Sequence, residues 1–293
     1  MKAFETCHPV VLFSFFVSVI GMSMFFMHPV YLIMTIFSAI SLNLALRRQH
    51  FLKDWKLYVP LFFLMAIINP LISHNGQLVL LYVNGNAITV EAILYGVAMA
   101  TMIVAVILWF SCYNEVMTSD KFIYLFGKVS PALSLTLSIA LRLVPRFKHQ
   151  LAQIARAQKT IGMDYTAGSL WHRIKCTIRI LSILITWALD NAIDTADSMK
   201  ARGYGVKSRT AFSLFIFERR DGVILTIISL LFIANLSASF NGTTTFYFYP
   251  TFSNIQWDVA SIVFYSSYFS LLSIPLTIEI KEALKWRSLK STM

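Results

Sequence analysis

Long, largely apolar runs are the feature that most limits what this chain can fold into. Hydrophobic residues make up 57% of the 293 residues and charged residues only 13%. A helix of about 20 mainly apolar residues crosses a bilayer, and six runs are long enough. The sequence therefore predicts an all-α, polytopic membrane protein with about six transmembrane helices. The six runs are residues 10–27, 30–46, 57–73, 87–112, 223–240 and 259–280.

The basic residues indicate which side of the membrane each loop faces. All 25 Lys and Arg residues lie in four groups, at Lys2, after the second run, between Lys121 and Arg220, and in the C-terminal tail. Because basic loops stay in the cytoplasm, we expect both termini and the middle segment to be cytoplasmic, with the chain in a prokaryotic inner (cytoplasmic) membrane. The net charge of +11 is then a topology signal, and no nucleic-acid partner is expected.

Polarity divides the chain into three predicted parts. Residues 1–117 form an N-terminal transmembrane region with four spans, and residues 118–221 form a cytoplasmic domain of amphipathic helices. Residues 222–293 form a C-terminal transmembrane region with two spans and a basic tail. The middle part holds 16 of the basic residues, and function is expected to lie there.

The sequence contains few motifs that are typical of catalysis, solute transport or metal binding. The predicted spans have no ionisable residue near their centres, where carriers that move polar solutes through their own helices place such residues. No Walker A, H-E-x-x-H or G-x-S-x-G sequence occurs. Cys7, Cys112 and Cys176 lie far apart, and we expect no histidine beside them at metal-ligand spacing. The sequence therefore predicts no catalytic residue, no bound metal and no cofactor.

An amphipathic helix is predicted at residues 141–162 of the middle segment. Gly162 is suited to end this helix, because glycine readily adopts the positive φ that a helix C-terminus requires. Basic side chains occupy the other faces of the helix. The apolar positions recur at spacings of three and four and are Val144, Phe147, Leu151, Ile154 and Ile161.

A second helix is predicted to follow and to end at Gly203 and Gly205. Its apolar stretch, residues 180–189, is too short to cross a bilayer, so we expect a buried or interfacial helix. Arg202 lies in its last turn. Two roles are open for Arg202: a cation that complements the helix dipole, or a planar guanidinium that binds a carboxylate of a partner. The helix also carries an acidic stripe of Asp190, Asp194 and Asp197.

Three stretches of the middle segment resemble a known family. They are Leu-Arg-Leu-Val-Pro-Arg-Phe-Lys at residues 141–148, Ala157-Gln158 before Gly162, and Ala-Asp-Ser-Met-Lys-Ala-Arg-Gly-Tyr-Gly at residues 196–205. They resemble the transmembrane T component of energy-coupling factor transporters, the CbiQ/EcfT family. The last stretch is the most specific of the three.

The resemblance implies a role in coupling and no catalysis. In that family, cytoplasmic coupling helices end in two Ala-Arg-Gly-like motifs, each docked in a groove of one of two ABC ATPases. The membrane part holds an S component that binds a vitamin or a metal ion. The resemblance assigns ATPase coupling to Thr160, Ile161 and Gly162 in the first motif and to Ala201, Arg202 and Gly203 in the second. The supporting residues are Pro145, Arg156, Tyr204 and Gly205.

The first motif departs from the family pattern, because Ile161 stands where the arginine is expected. Arg156 lies five residues earlier, which is about 140° around a helix that turns about 100° per residue. It could replace the missing arginine only from a different face. An arginine-based contact with an ATPase is therefore expected at Arg202 alone.

The resemblance leads to a T subunit of an ABC-type importer for a vitamin or a metal ion such as cobalt. Its implied partners are two ABC ATPases, identical or different, a membrane-embedded S component and the lipid bilayer. Two alternatives remain open at this point: a membrane enzyme that uses cytoplasmic residues such as Asp190 and Asp194, and a stand-alone carrier. The micronutrient is not identified, because the S component selects it.

Overall fold

A computed structural model describes residues 3–73, 75–83, 86–127, 130–205, 215–255 and 257–291. They are helical almost throughout, which confirms the predicted fold class. The described ranges also contain one antiparallel β-hairpin, formed by β1 (Val79–Val83) and β2 (Asn86–Thr89). The helices are a 3₁₀ turn (Phe4–Thr6), α1 (Pro9–Phe25), α2 (Pro29–Ile72), α3 (Val90–Val116), α4 (Ser119–Gly127), α5 (Pro131–Thr160), α6 (Leu170–Ala201), α7 (Arg219–Phe240) and α8 (Val259–Ser291).

Six helical segments in the described ranges are long and apolar enough to cross a membrane. The number of candidate spans matches the prediction, and the chain is a multi-pass membrane protein. The helices that qualify differ from the predicted spans in two places. The first predicted span falls on α1, which has only 17 residues, and α6 qualifies although a non-spanning helix was predicted there. The six segments are Pro29–Arg47, Lys53–Ile72, Val90–Val116, Leu170–Ala201, Arg219–Phe240 and Val259–Trp286.

The length of α6 explains why it qualifies. The apolar stretch at residues 180–189 continues into amphipathic turns on both sides, so that one helix of 32 residues forms. Its uncharged part is only about 15 Å long at about 1.5 Å per residue, half of the roughly 30 Å hydrocarbon core. Arg179 and Asp190 bound this part.

The two halves of α2 meet at Arg47, where the backbone leaves helical geometry with φ −136° and ψ 37°. The Arg47 guanidinium lies 3.3 Å from the Glu115 carboxylate near the end of α3. Farther along, α2 and α3 approach closely at Gly96, where an added Cβ would stand 2.7 Å from the carbonyl oxygen of Ala66. Asn69 donates a hydrogen bond of 2.8 Å to the carbonyl of Ala92. These contacts hold the second half of α2 against α3.

The described residues form two compact units, Met1–Phe122 with Phe215–Met293, and Ile123–Leu214. The core of the first unit is aromatic, with the side chains of Phe15, Trp109 and Tyr268 fully buried. Its helices α1 and α2 begin at His8 and His28, whose Nδ1 atoms accept hydrogen bonds of 3.3 Å from the amides of Val10 and Val30. The second unit contains α5 and α6.

Candidate functional site

The second unit is an antiparallel hairpin of α5 and α6. The rings of Phe147 and Trp187 lie 5.7 Å apart in an edge-to-face arrangement, and the Arg146 guanidinium stands 5.4 Å above the Trp187 ring. At the connected end, the sulfur of Met163 lies 3.8 Å from that of Cys176. Residue 147 thus lies beside residue 187, and residue 163 lies beside residue 176, so the two helices run in opposite directions. The C-terminal ends of α5 and α6 are therefore at opposite ends of the hairpin.

Helix α5 ends in a Schellman motif. The amide of Gly162 donates to the carbonyl of Lys159 at 3.1 Å, and the amide of Met163 donates to the carbonyl of Gln158 at 2.9 Å. Gly162 has a φ of +80°, in the left-handed region that glycine adopts without a steric penalty. The sequence prediction that Gly162 ends this helix is confirmed.

Helix α6 ends in the same way. The amide of Gly203 donates to the carbonyl of Lys200 at 2.9 Å, and the amide of Tyr204 donates to the carbonyl of Met199 at 3.0 Å. Gly203 has a φ of +80°, equal to that of Gly162. The two helix ends thus share one hydrogen-bond pattern and one backbone geometry.

Ile161 and Arg202 occupy corresponding positions in the two motifs. Each is the residue before the left-handed glycine, with φ −96° and ψ 20° for Ile161 and φ −84° and ψ 8° for Arg202. The structure thus places the isoleucine where the other helix has its arginine. Both side chains are exposed, Ile161 to 64%.

Arg202 forms no ion pair in the part of the chain that the structure describes. Ala201 is exposed beside it. Tyr204 is 46% exposed, and Gly205 has a φ of +92° with open space around it. The guanidinium and the tyrosine ring therefore form a polar and aromatic surface at the end of a long helix, here called the α6 tip (residues 201–205).

Thr160, Ile161 and Gly162 form the corresponding α5 tip (residues 160–162), which lacks a cation at its C-cap. The Thr160 hydroxyl donates to the carbonyl of Ala157 at 2.8 Å. Arg156 is exposed, but it lies about 7.5 Å back along the helix axis from Ile161. Pro145 is exposed in the interior of α5. Arg156 therefore does not stand at the α5 tip.

The two tips lie far apart within the hairpin. Cys176 is level with Met163, next to the α5 tip, and Arg202 is 26 residues farther along. At about 1.5 Å per residue this separation is about 39 Å along α6. The tips can therefore contact two different partners, or two copies of one partner.

Asp164 fixes the loop that follows the α5 tip. Its carboxylate accepts hydrogen bonds from the amide and the hydroxyl of Thr166 at 2.9 and 2.7 Å, and the Lys159 ammonium lies 3.0 Å away. These donors lower the pKa of Asp164 to about 2. Lys159 is thus paired within the chain, whereas Arg202 has no ion pair among the described residues.

The acidic stripe of α6 is open to solvent. Asp190 and Asp194 are exposed, and Asp197 lies 3.7 Å from the Lys200 ammonium. No group of three or more His, Cys, Asp or Glu side chains that could hold a metal ion occurs among the residues that the structure describes. The stripe therefore presents separate, solvated carboxylates.

The expectation that no histidine stands beside a cysteine at metal-ligand spacing was wrong for Cys176. His172 precedes Cys176 by one helical turn, and its Nε2 atom lies 3.4 Å from the Cys176 sulfur. An added Cβ at Gly168 would stand 3.1 Å from the His172 ring, so the glycine allows the loop to pack on it. The spacing of four residues could have revealed this pair in the sequence.

The chain is similar to known transport proteins. The family model described as CbiQ, cobalt transport protein, matches residues 5–212, more than half of the chain. The energy-coupling factor transporter transmembrane protein EcfT of Bacillus selenitireducens is 36% identical over 111 residues, 38% of this chain and 41% of that protein. EcfT of Listeria innocua is 39% identical over 100 residues, 34% of this chain and 38% of that protein.

A third relative matches over a longer range. EcfT of Leuconostoc gelidum subsp. gasicomitatum is 29% identical over 188 residues, 60% of this chain and 70% of that protein. The chain spans about two fifths of the length of the first two relatives. Since the family model covers residues 5–212, including both helix tips, this chain belongs to the CbiQ family, as the resemblance predicted.

Proposed function

We propose that the chain is the transmembrane coupling subunit, or T component, of an energy-coupling factor importer for a vitamin or a metal ion. The observation that carries the proposal is the pair of matching helix ends about 39 Å apart along α6, one of which presents Arg202, exposed and without an ion pair among the described residues. An exposed arginine on a rigid helix end can bind a carboxylate in a groove with its planar guanidinium. Two such helix ends could each contact one of two ABC ATPases.

In this proposal the two tips bind their ATPases differently. Arg202 forms a charge-assisted contact, while Ile161 contributes by burying an apolar side chain. The relatives are named as energy-coupling factor transporter proteins, which supports a complex with ATPases and a membrane-embedded S component. Movement of the ATPases would pass through α5 and α6 to the membrane part.

The spans in this proposal are α1, both halves of α2, α3, α7 and α8, and α6 stays in the cytoplasm. The short uncharged stretch of α6 supports this choice. We retain the division into residues 1–117, 118–221 and 222–293, with both termini in the cytoplasm of a prokaryotic cell. The two alternative functions have weaker support, because Asp190 and Asp194 are separate, exposed carboxylates and the predicted spans have no ionisable residue near their centres.

The isolated chain should neither hydrolyse ATP nor transport. We expect the purified chain in liposomes to show background ATPase activity and background uptake, since it has no Walker A motif. Co-expressed with its ATPases, it should purify with two ATPase subunits per chain, measured by native mass spectrometry. Uptake by the pure chain would support a stand-alone carrier and contradict the T-component proposal.

The proposed topology can be tested by thiol labelling. Cys7, Cys112 and Cys176 are buried, so the background should be low. Tyr247→Cys, at a position 68% exposed in the loop after α7, should react with an impermeant maleimide in intact cells. Ala167→Cys, at an exposed position between α5 and α6, should react only after the membrane is opened. The reverse pattern would invert the topology.

A further inference from the structure

Charged side chains from three other helices form hydrogen bonds with the backbone of the N-terminal segment before α1. The ammonium of Lys121 in α4 donates to the carbonyl of Glu5 at 2.7 Å and to the carbonyl of Val116 at 2.8 Å. The carboxylate of Asp221 in α7 accepts from the amide of His8 at 3.2 Å. The carboxylate of Glu279 in α8 accepts from the amide of Phe4 at 3.0 Å. We call residues 3–8 with these three side chains the N-terminal clasp.

The central side chains of the clasp are buried. Lys121 is 7% exposed and Asp221 is 3% exposed, which is rare for charged side chains unless they are paired or hydrogen-bonded. The Phe4 side chain is fully buried against Phe15, with ring centroids 5.5 Å apart. A buried charge whose partner is removed is costly, so these contacts are expected to persist in the folded protein.

The clasp lies next to the two points where the chain enters and leaves the second unit. The hairpin of α5 and α6 in that unit is called the coupling hairpin here. The second unit begins after Phe122 and ends at Leu214, so Lys121 lies next to the exit from the first unit and Asp221 lies soon after the return. On the return side, the ring of Phe217 packs edge-to-face on His8 at 5.0 Å. Asp221 also accepts from the amide of Glu218 at 3.2 Å, in a capping box that begins α7. Residues 3–8 thus contact the chain both where it enters the second unit and where it returns from it.

We propose that the N-terminal clasp transmits movement of the coupling hairpin to the membrane helices, with Lys121 and Asp221 as its positioning residues. The inference rests on the proposed function, because it requires that ATP-driven movement reaches α5 and α6. A displacement of the hairpin acts on two chain connections. The clasp joins these connections to each other and, through Phe4 and Glu279, to α1 and α8. Without it, each connection could move alone.

The experiment is hydrogen–deuterium exchange on the complex of the full chain with its ATPases, with and without ATP. In the wild-type complex, ATP should change amide exchange in α5 and α6 and also in α7 and α8. In Lys121→Met and in Asp221→Asn, the change should persist in α5 and α6 and be lost from α7 and α8. In Asp221→Asn, the His8 amide should also exchange at least about tenfold faster, which corresponds to about 1.4 kcal/mol.

Matched variants separate this role from a purely structural one. Lys285→Met and Asp258→Asn remove the same charges at exposed positions and should behave as wild type. Lys121→Arg, which keeps the charge, should retain the response in α7 and α8. An unchanged ATP response of α7 and α8 in both clasp variants would overturn the clasp alone. Absence of any ATP response in α5 and α6 of the wild-type complex would overturn the proposed function, and the clasp proposal with it.

Discussion

Arg202→Ala should abolish ATP-driven uptake while the protein still inserts normally into the membrane. Removing one partner of a buried, hydrogen-bonded charge pair at an interface costs about 2 to 5 kcal/mol. At about 1.4 kcal/mol per tenfold change, this is roughly a 30-fold to several-thousand-fold loss of binding. If Arg202 served only its own helix end, its removal would cost well under about 1 kcal/mol. The two roles left open by the sequence therefore differ by orders of magnitude.

Three further variants define the chemistry of this contact. Arg202→Glu should be at least as severe as Arg202→Ala, since it places a negative charge at the negative end of the helix dipole. Arg202→Lys should be intermediate, because the charge remains but the planar fork is lost. Ile161→Ala should lower uptake less than any of the three substitutions of Arg202. Co-purification of the ATPases and uptake of the micronutrient carried by the co-expressed S component would measure these effects. Wild-type uptake by Arg202→Ala would reduce Arg202 to a helix cap.

The sequence predicted the features that depend on local pattern. Runs of apolar residues predicted the helices, because a bilayer requires apolar side chains and satisfied backbone groups along a whole span. Gly162 was predicted to end α5, and Gly203 to end α6, because only glycine adopts a positive φ without a steric penalty. The motif at residues 196–205 predicted the family. The roles of the tip residues in coupling stay predictions.

Features that depend on contacts between distant residues were not predictable. The clasp joins residues 275, 213 and 116 positions apart, and each charged side chain binds a backbone group that leaves no mark in the sequence. His8 and His28 cap helices although histidine is not among the preferred N-cap residues. The N-terminal turns of α6, from Leu170 to Arg179, were missed because the helix was taken to begin with its apolar stretch.

The two helix tips provide a matched pair of glycine substitutions, because Gly162 and Gly203 share a φ of +80° and one hydrogen-bond pattern. An alanine held in this left-handed conformation costs about 1 to 2 kcal/mol. Gly162→Ala and Gly203→Ala should therefore lower the stability of their helix ends by similar amounts. Only Gly203→Ala should also lower uptake strongly, because only the α6 tip presents an arginine whose direction depends on the glycine.

The expected loss of uptake for Gly203→Ala is about 5-fold to 30-fold, the population change that corresponds to about 1 to 2 kcal/mol. Gly162→Ala should lose less, since an apolar contact at Ile161 tolerates a change of direction better than a bidentate hydrogen bond does. Uptake, ATPase co-purification and thermal unfolding of both variants would be compared with Gly21→Ala, a helical position with open space around its added Cβ. Equal losses of uptake at equal losses of stability would mean that both tips act through rigidity alone. A selective loss for Gly203→Ala would locate the decisive contact at Arg202.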